Sequence, residues 1–270
     1  MFHARVKTGA VLVVAVCLIL GFSQFAPVLW AAVGFLTVCA AWEMAGAFHL
    51  PHPGLAVGAG VAELAVLLVL PEKWMTDILC WGFLAVLITF VCAMVFFTTL
   101  KSIPSWFRVM ILLALPLFYA GMIPIRGETG GVWLLAMAIF LCMITDSGAY
   151  LVGKRLGKHK MAPRISPHKS IEGSIGGTVS ATVLILAAVW IASLVHPFRV
   201  HWGSLTLYLV TGTMISQLGD LSMSVIKRVE GIKDYGKVLP GHGGILDRFD
   251  SLLFVLPYTC LWLNWAGPIF

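Results

Sequence analysis

Charge is scarce in this chain. Only 11% of its residues are Asp, Glu, Lys or Arg, 60% are hydrophobic, and the mean hydropathy is +0.96. A soluble domain of 270 residues builds its core with far less apolar content, so lipid must be part of the solvent. Paired cysteine motifs are also missing. Cys17, Cys39, Cys80, Cys92, Cys142 and Cys260 all lie in apolar stretches, and none forms Cys-x-x-Cys. That speaks against a disulfide framework or a zinc site and for small buried hydrophobes. No internal repeat and no low-complexity tract is visible. Arg5 and Lys7 precede an apolar run, but no small-x-small cleavage site followed by polar sequence comes after it. The run therefore reads as an uncleaved first span. A Walker loop, Gly-x-x-x-x-Gly-Lys-Ser/Thr, is absent as well, so any phosphate chemistry must use another device.

Long apolar runs are what the chain has in abundance. A helix needs about 20 apolar residues to cross hydrocarbon, and helices are required because backbone groups find no water there. Nine segments are expected to span: 8–22, 27–49, 54–70, 75–100, 105–123, 131–152, 174–195, 203–223 and 249–268. Turn signals separate most of them, at Pro51 and Pro53, Pro71, Pro104, Pro124 with Gly127 and Gly130, and Pro197. With the N-terminus in the cytoplasm, 15 of the 18 Lys and Arg residues fall on the cytoplasmic side, leaving Lys73, Arg126 and Arg199 outside. The expected fold class is an all-α polytopic membrane protein of about nine transmembrane helices, with two longer basic cytoplasmic loops, 153–173 and 224–248. Residues 1–130 are read as N-terminal transmembrane helices and 131–270 as a C-terminal catalytic region, within one integral membrane unit.

Acids at membrane depth are functional candidates by default, because charge there is costly. Glu43, Glu63, Asp146 and Asp220 qualify. Glu43 and Glu63 stand alone and read as hydrogen-bonded or neutral packing acids. Asp146 and Asp220 each end a span that runs into a basic loop. On a helix Asp220 and Ser224 share a face, and Lys227 and Arg228 follow one turn later. Asp247 and Asp250, three apart, share a face at the start of the last span. Helix N-termini attract anions, and acids there can hold a divalent cation against phosphate oxygens. Gly241, Gly243 and Gly244, flanking His242, let backbone approach a ligand closely. Acids, cations and a glycine-rich turn are what nucleotide phosphate handling needs. In the other loop, Ser166 to Lys169 could donate to phosphate, while Lys158, His159 and Lys160 attract anionic headgroups or set topology.

The run Ser224-x-x-Lys227-Arg228-x4-Lys233-Asp234-x5-Pro240-x-His242-Gly243-Gly244-x-x-Asp247-Arg248-x-Asp250 resembles the C-terminal signature of the phosphatidate cytidylyltransferases, also called CDP-diacylglycerol synthases. The stretch Asp146 to Gly177 is similar to that family too, with Ser170 where Thr is more usual. The resemblance covers about residues 140–251. It implies condensation of CTP with phosphatidic acid to CDP-diacylglycerol and pyrophosphate, in phospholipid biosynthesis. It implies magnesium, with a second cation possible, on Asp220 and Asp247. Asp250 is a further ligand candidate, or a residue that orients Arg248. Lys227, Arg228 and Lys169 are implied as phosphate clamps, and Ser166 and His242 as nucleotide or phosphate donors. For His242, proton donation to pyrophosphate and neutral positioning both stand. Asp146 joins the polar cavity or caps a helix end. Ser224, Gly243, Gly244 and Arg248 complete the candidate substrate contacts. A homodimer in the bacterial inner membrane, with its active site facing the cytoplasm, is expected, and no nucleic-acid partner.

Two other readings remain open from sequence. One is a CTP-dependent enzyme acting on another lipid phosphate. The other is a transporter of an anionic metabolite using Glu43, Glu63 and Asp146. Transporters usually keep sites near the midplane between repeated halves, whereas here the ionisable residues crowd one side.

Overall fold

The computed structural model describes residues 2–96, 102–195, 199–239 and 243–270. Lys101, Pro197, Pro240, Gly241 and His242, all singled out from sequence, lie outside the described residues. The chain forms helices α1 (Phe2–Phe22), α2 (Ala26–Ala47), α3 (Pro53–Val69), α4 (Glu72–Val95), α5 (Ser105–Ala120), α6 (Met122–Gly127) and α7 (Gly131–Leu156). Strands β1 (Lys160–Ala162) and β2 (Ser166–Ser170) follow, then α8 (Ile171–Val195), α9 (Trp202–Val229) and α10 (Leu246–Trp265). Among the described residues, five helices are long and apolar enough to cross a membrane: Ala26–Ala47, Glu72–Val95, Ser105–Gly127, Gly131–Leu156 and Ile171–Val195. Four further expected spans fall on helices that are shorter in their apolar part, α1 and α3, or more polar, α9 and α10. In α9 serines, threonines, glycines and Gln217 dilute the apolar residues, and in α10 Asp247, Arg248 and Asp250 crowd the first turn.

Several expectations are corrected here. Segment 153–173 is not an irregular loop. α7 continues through Lys154 and Arg155, α8 starts at Ile171, and an antiparallel hairpin, β1 with β2, lies between. Pro124 sits inside the short helix α6 rather than in a turn. Cys17 and Cys92 are exposed on helix faces; Cys80, Cys142 and Cys260 are buried as expected, and all six cysteines are free.

The helix ends sort into two groups. Arg126 donates from Nε to Ser23 Oγ at 3.1 Å, and His201 N–H donates to the Ile269 carbonyl at 3.0 Å. At the opposite end Arg108 bridges the Phe48 carbonyl and Glu230, the latter at 3.0 Å. The C-termini of α7 and α9 and the N-termini of α8 and α10 meet at this second end. Lys154 and Arg155 close α7 and Lys227 and Arg228 close α9, whereas Glu172 opens α8 and Asp247 opens α10. Each charge faces the helix-dipole end that favours it.

Packing fixes these ends relative to one another. Phe83, Phe90, Phe107, Phe118 and Phe254 form a buried edge-to-face cluster joining α4, α5 and α10, with ring centroids 5.2–6.5 Å apart. Gly219 on α9 packs on Phe254, where a Cβ would come within 2.9 Å of the ring. α7 and α8 lie closer still. A Cβ at Gly177 would sit 2.6 Å from the Thr145 carbonyl oxygen, and one at Gly173 2.7 Å from that of Ala149. Small residues drive such contacts in lipid, where van der Waals packing replaces the hydrophobic effect. Gly177→Val should force α7 and α8 apart and cost about 1–3 kcal/mol. Thermal unfolding of the purified chain in detergent would read this as a lowered midpoint, and an unchanged midpoint would contradict the contact.

Candidate active site

The hairpin is held over the end of α9 by an apolar contact, a hydrogen bond and an ion pair. Ile165, at its tip, is buried against Leu221 and Val225. Arg228 donates from Nε to the Ile165 carbonyl at 3.1 Å. Glu172 closes the base of the hairpin, accepting the Lys158 and His159 N–H groups at 3.1 and 3.2 Å and meeting His159 Nδ1 at 2.5 Å. With tip and base fixed, Ser166, His168 and Lys169 face a cavity of about 380 Å³. Its other walls are Asp146, Ala149 and Tyr150 from α7, Gly173 and Ser174 from α8, Gln217, Asp220 and Lys227 from α9, and Asp247, Arg248 and Asp250 from α10.

Carboxylates and ammonium groups alternate across this cavity. Lys169 Nζ lies 2.6 Å from Asp220 Oδ2, and Lys227 Nζ lies 2.9 Å from Asp247 Oδ1 and 4.0 Å from Asp250 Oδ2. The second cluster is the drier: the side chains of Lys227 and Asp247 are only 12% and 2% exposed. Ser224 donates to Asp220 Oδ1 at the long distance of 3.4 Å. Asp247 Oδ2 accepts the Tyr235 N–H at 2.8 Å and the Gly244 N–H at 3.0 Å, so this carboxylate closes the loop between α9 and α10. Asp250 Oδ1 accepts the Ser251 N–H at 2.8 Å. Tyr235 lies 5.1 Å beneath the Lys227 ammonium and donates its hydroxyl to the Met223 carbonyl at 2.8 Å. Burial, reinforced by Asp250, Asp247 and Asp220, pushes its phenol well above the ordinary tyrosine range, so it remains a neutral donor.

The structure thus brings Asp146, Ser166, Lys169, Asp220, Lys227, Asp247, Arg248 and Asp250 to one cavity. Arg228, Ser224, Gly243 and Gly244 are not among its walls. Arg228 holds the hairpin. Gly243 has φ +83, a left-handed conformation that suits glycine, and a Cβ there would sit 3.0 Å from Asp247 Oδ2. Gly244 approaches Glu43. Both glycines therefore face the protein's own carboxylates. His242 lies outside the described residues. Sequence reasoning missed Tyr150, His168, Ser174 and Gln217 as cavity walls. Gln217 carried a usable signal, since it is a polar residue one turn before Asp220 in an apolar span. Its amide is anchored to α8, donating to Thr178 Oγ1 at 3.2 Å and accepting from Ser174.

Comparison with known proteins places the chain in a family. Residues 3–265 match the cytidylyltransferase family. The chain belongs to that family. It is similar to the phosphatidate cytidylyltransferase of Bacillus subtilis (strain 168), 46% identical over 127 residues, which is 46% of each chain. It is also similar to those of Staphylococcus aureus (strain COL), 44% identical over 128 residues, and Staphylococcus haemolyticus (strain JCSC1435), 40% identical over 130 residues, covering 47% and 48% of the chains. The chain spans about half the length of the curated relatives it matches. This membership fits a cavity rich in both acids and cations, since nucleotidyl transfer must hold several phosphates together.

Removing one partner of the buried pair leaves the other charge uncompensated, at a cost of about 3–5 kcal/mol. Asp247→Ala should therefore destabilise the chain markedly, and pairing it with Lys227→Met should recover part of the loss. A double-mutant cycle on thermal unfolding checks this; purely additive losses would deny the coupling.

Proposed function

We propose that the chain transfers a cytidylyl group from CTP to phosphatidic acid, giving CDP-diacylglycerol and pyrophosphate. The observation that carries this reading is the meeting of Lys169, Lys227 and Arg248 with four aspartates in one cavity at one end of the helices. An oxygen of the lipid phosphate attacks the α-phosphorus of CTP, and the bond from that phosphorus to the bridging oxygen of pyrophosphate breaks. The nucleophile is already anionic, so no strong general base is required. The barrier is charge repulsion and alignment, which fixed cations lower. Lys169 and Lys227 supply those cations from opposite walls. Each is paired with an aspartate, Lys169 with Asp220 and Lys227 with Asp247. Ser166 and His168 add donors from the hairpin, and Gln217 shapes the floor.

Magnesium fits the chemistry of the donors, because carboxylate oxygens are hard ligands. Among the described residues no three acids, cysteines or histidines already converge on one point, and both lysines share the carboxylates. Asp220 and Asp250 would hold the ion with Asp247, whose Oδ2 is already taken by two N–H donors. Bound there, magnesium would neutralise phosphate charge. A second cation belongs to the same proposal.

The placement suits both substrates. The cavity opens at the helix ends where the basic hairpin lies, and a diacyl lipid presents its phosphate at the headgroup plane. We assign that end to the cytoplasmic face of the bacterial inner membrane, from the distribution of Lys and Arg. A homodimer is proposed on family resemblance alone. The full chain with CTP, phosphatidic acid and magnesium should form CDP-diacylglycerol, and Lys169→Ala should lower kcat/KM by about 100-fold. Absence of turnover with any nucleotide and lipid phosphate would sink the proposal; undiminished activity in Lys169→Ala would remove that residue from it.

A further inference from the structure

Glu43 lies in α2, about 200 residues before the site in sequence, yet its carboxylate ends among the backbone that carries the site. Oε1 accepts the Ile245 N–H at 2.9 Å, and Oε2 accepts the Leu246 N–H at 2.8 Å. These are donors at the start of α10, which no intrahelical carbonyl can satisfy and which no side-chain cap of α10's own serves. The residue is only 3% exposed. Two glycines of the α9–α10 loop close around it. A Cβ at Gly236 would lie 2.4 Å from Oε1, and one at Gly244 would lie 2.4 Å from Oε2. The same Gly244 gives its N–H to Asp247.

We propose that Glu43 is a positioning residue for the active site, capping α10 from another helix so that Asp247 and Asp250 are aimed into the cavity. The argument runs along bonded neighbours. Two carboxylates hold the loop and the start of α10, Glu43 from outside at residues 236 and 244–246, and Asp247 from within at Tyr235 and Gly244. Asp247 follows Leu246 directly and Asp250 comes one turn later, so the azimuth of the first turn sets where both point. A backbone held by a carboxylate in a dry site cannot exchange these bonds for water, and partners behind ligand-bearing residues commonly change activity about 10–100-fold when removed. The N-terminal helices therefore contribute a specific part to a site whose other residues all come from the last half of the chain. The role rests on the proposed cytidylyl transfer, but the contact can be tested separately.

The test uses the full chain in lipid nanodiscs. Glu43→Gln keeps the shape but turns one acceptor into an N–H facing another donor. Amide exchange at Tyr235, Gly244, Ile245 and Leu246 should accelerate about tenfold or more, while exchange in α7 and α8 stays as in the parent. CDP-diacylglycerol formation should fall about 10–100-fold. Gly244→Ala, which sends a methyl into the same carboxylate, should do likewise, and its effect should largely vanish when combined with Glu43→Ala, which leaves room for the methyl. If Glu43→Gln does not fold, exchange and turnover in Gly244→Ala decide. Unchanged local exchange with turnover within about twofold of the parent overturns the proposal. So does loosening spread evenly over all helices, which would make Glu43 an ordinary packing residue. If the parent chain itself makes no CDP-diacylglycerol, the functional reading fails while local exchange still decides the positioning role.

Discussion

A carboxylate at the edge of a membrane must find a donor or give up its charge, and the architecture of this chain follows from how that demand is met. Four aspartates face one cavity. Left alone they would repel one another in a medium too poorly polarisable to screen them. Lys169 and Lys227 stand between them, and backbone N–H groups donate to Oδ2 of Asp247 and Oδ1 of Asp250. Each partner belongs to a different element. The hairpin must lie over α9 for Lys169 to reach Asp220, and the α9–α10 loop must fold back for Tyr235 to reach Asp247. Satisfying the acids and assembling the site are one event.

This explains how parts that look peripheral become necessary. Arg228 is not itself a cavity wall, yet its hydrogen bond to Ile165 fixes the tip of the hairpin that carries Ser166 and Lys169. Gly219 lets α9 press on Phe254, which brings Asp220 towards α10. The phenylalanine cluster then ties α10 to α4 and α5, so the N-terminal helices steady the site through apolar packing as well as through one carboxylate.

Much of this was legible in the sequence, for physical reasons. Apolar runs of spanning length gave the helices, because lipid allows little else. Helical spacing put Asp220 and Ser224 on one face and Asp247 with Asp250 on another, and both pairs stand so in the structure. The hairpin was not legible. Residues 157–170 are basic and contain two prolines, with no alternation of apolar and polar side chains, and they form strands because α7 and α8 hold their ends together. Glu43 is hydrogen-bonded, one of the two readings the sequence offers, but its partners are backbone N–H groups that carry no residue signature, so the sequence does not say which ones. Of the glycines flanking His242, Gly243 and Gly244 approach other groups closely, and those groups are the carboxylates of Asp247 and Glu43.

The contact between α7 and α8 has a mechanical meaning. Where backbones touch at Gly173 and Gly177, two helices lose the side-chain layer that would let them slide or tilt, and they behave as a single plank. Any widening of the cavity must then come from elsewhere on its rim. The seam between α8 and α9 is built differently, from hydroxyls and one amide, Ser174, Thr178, Thr213 and Gln217. Such contacts can be exchanged one for another over small displacements. The stiff wall and the yielding one stand side by side, so movement at this end of the helices is taken up at α9 and not between α7 and α8.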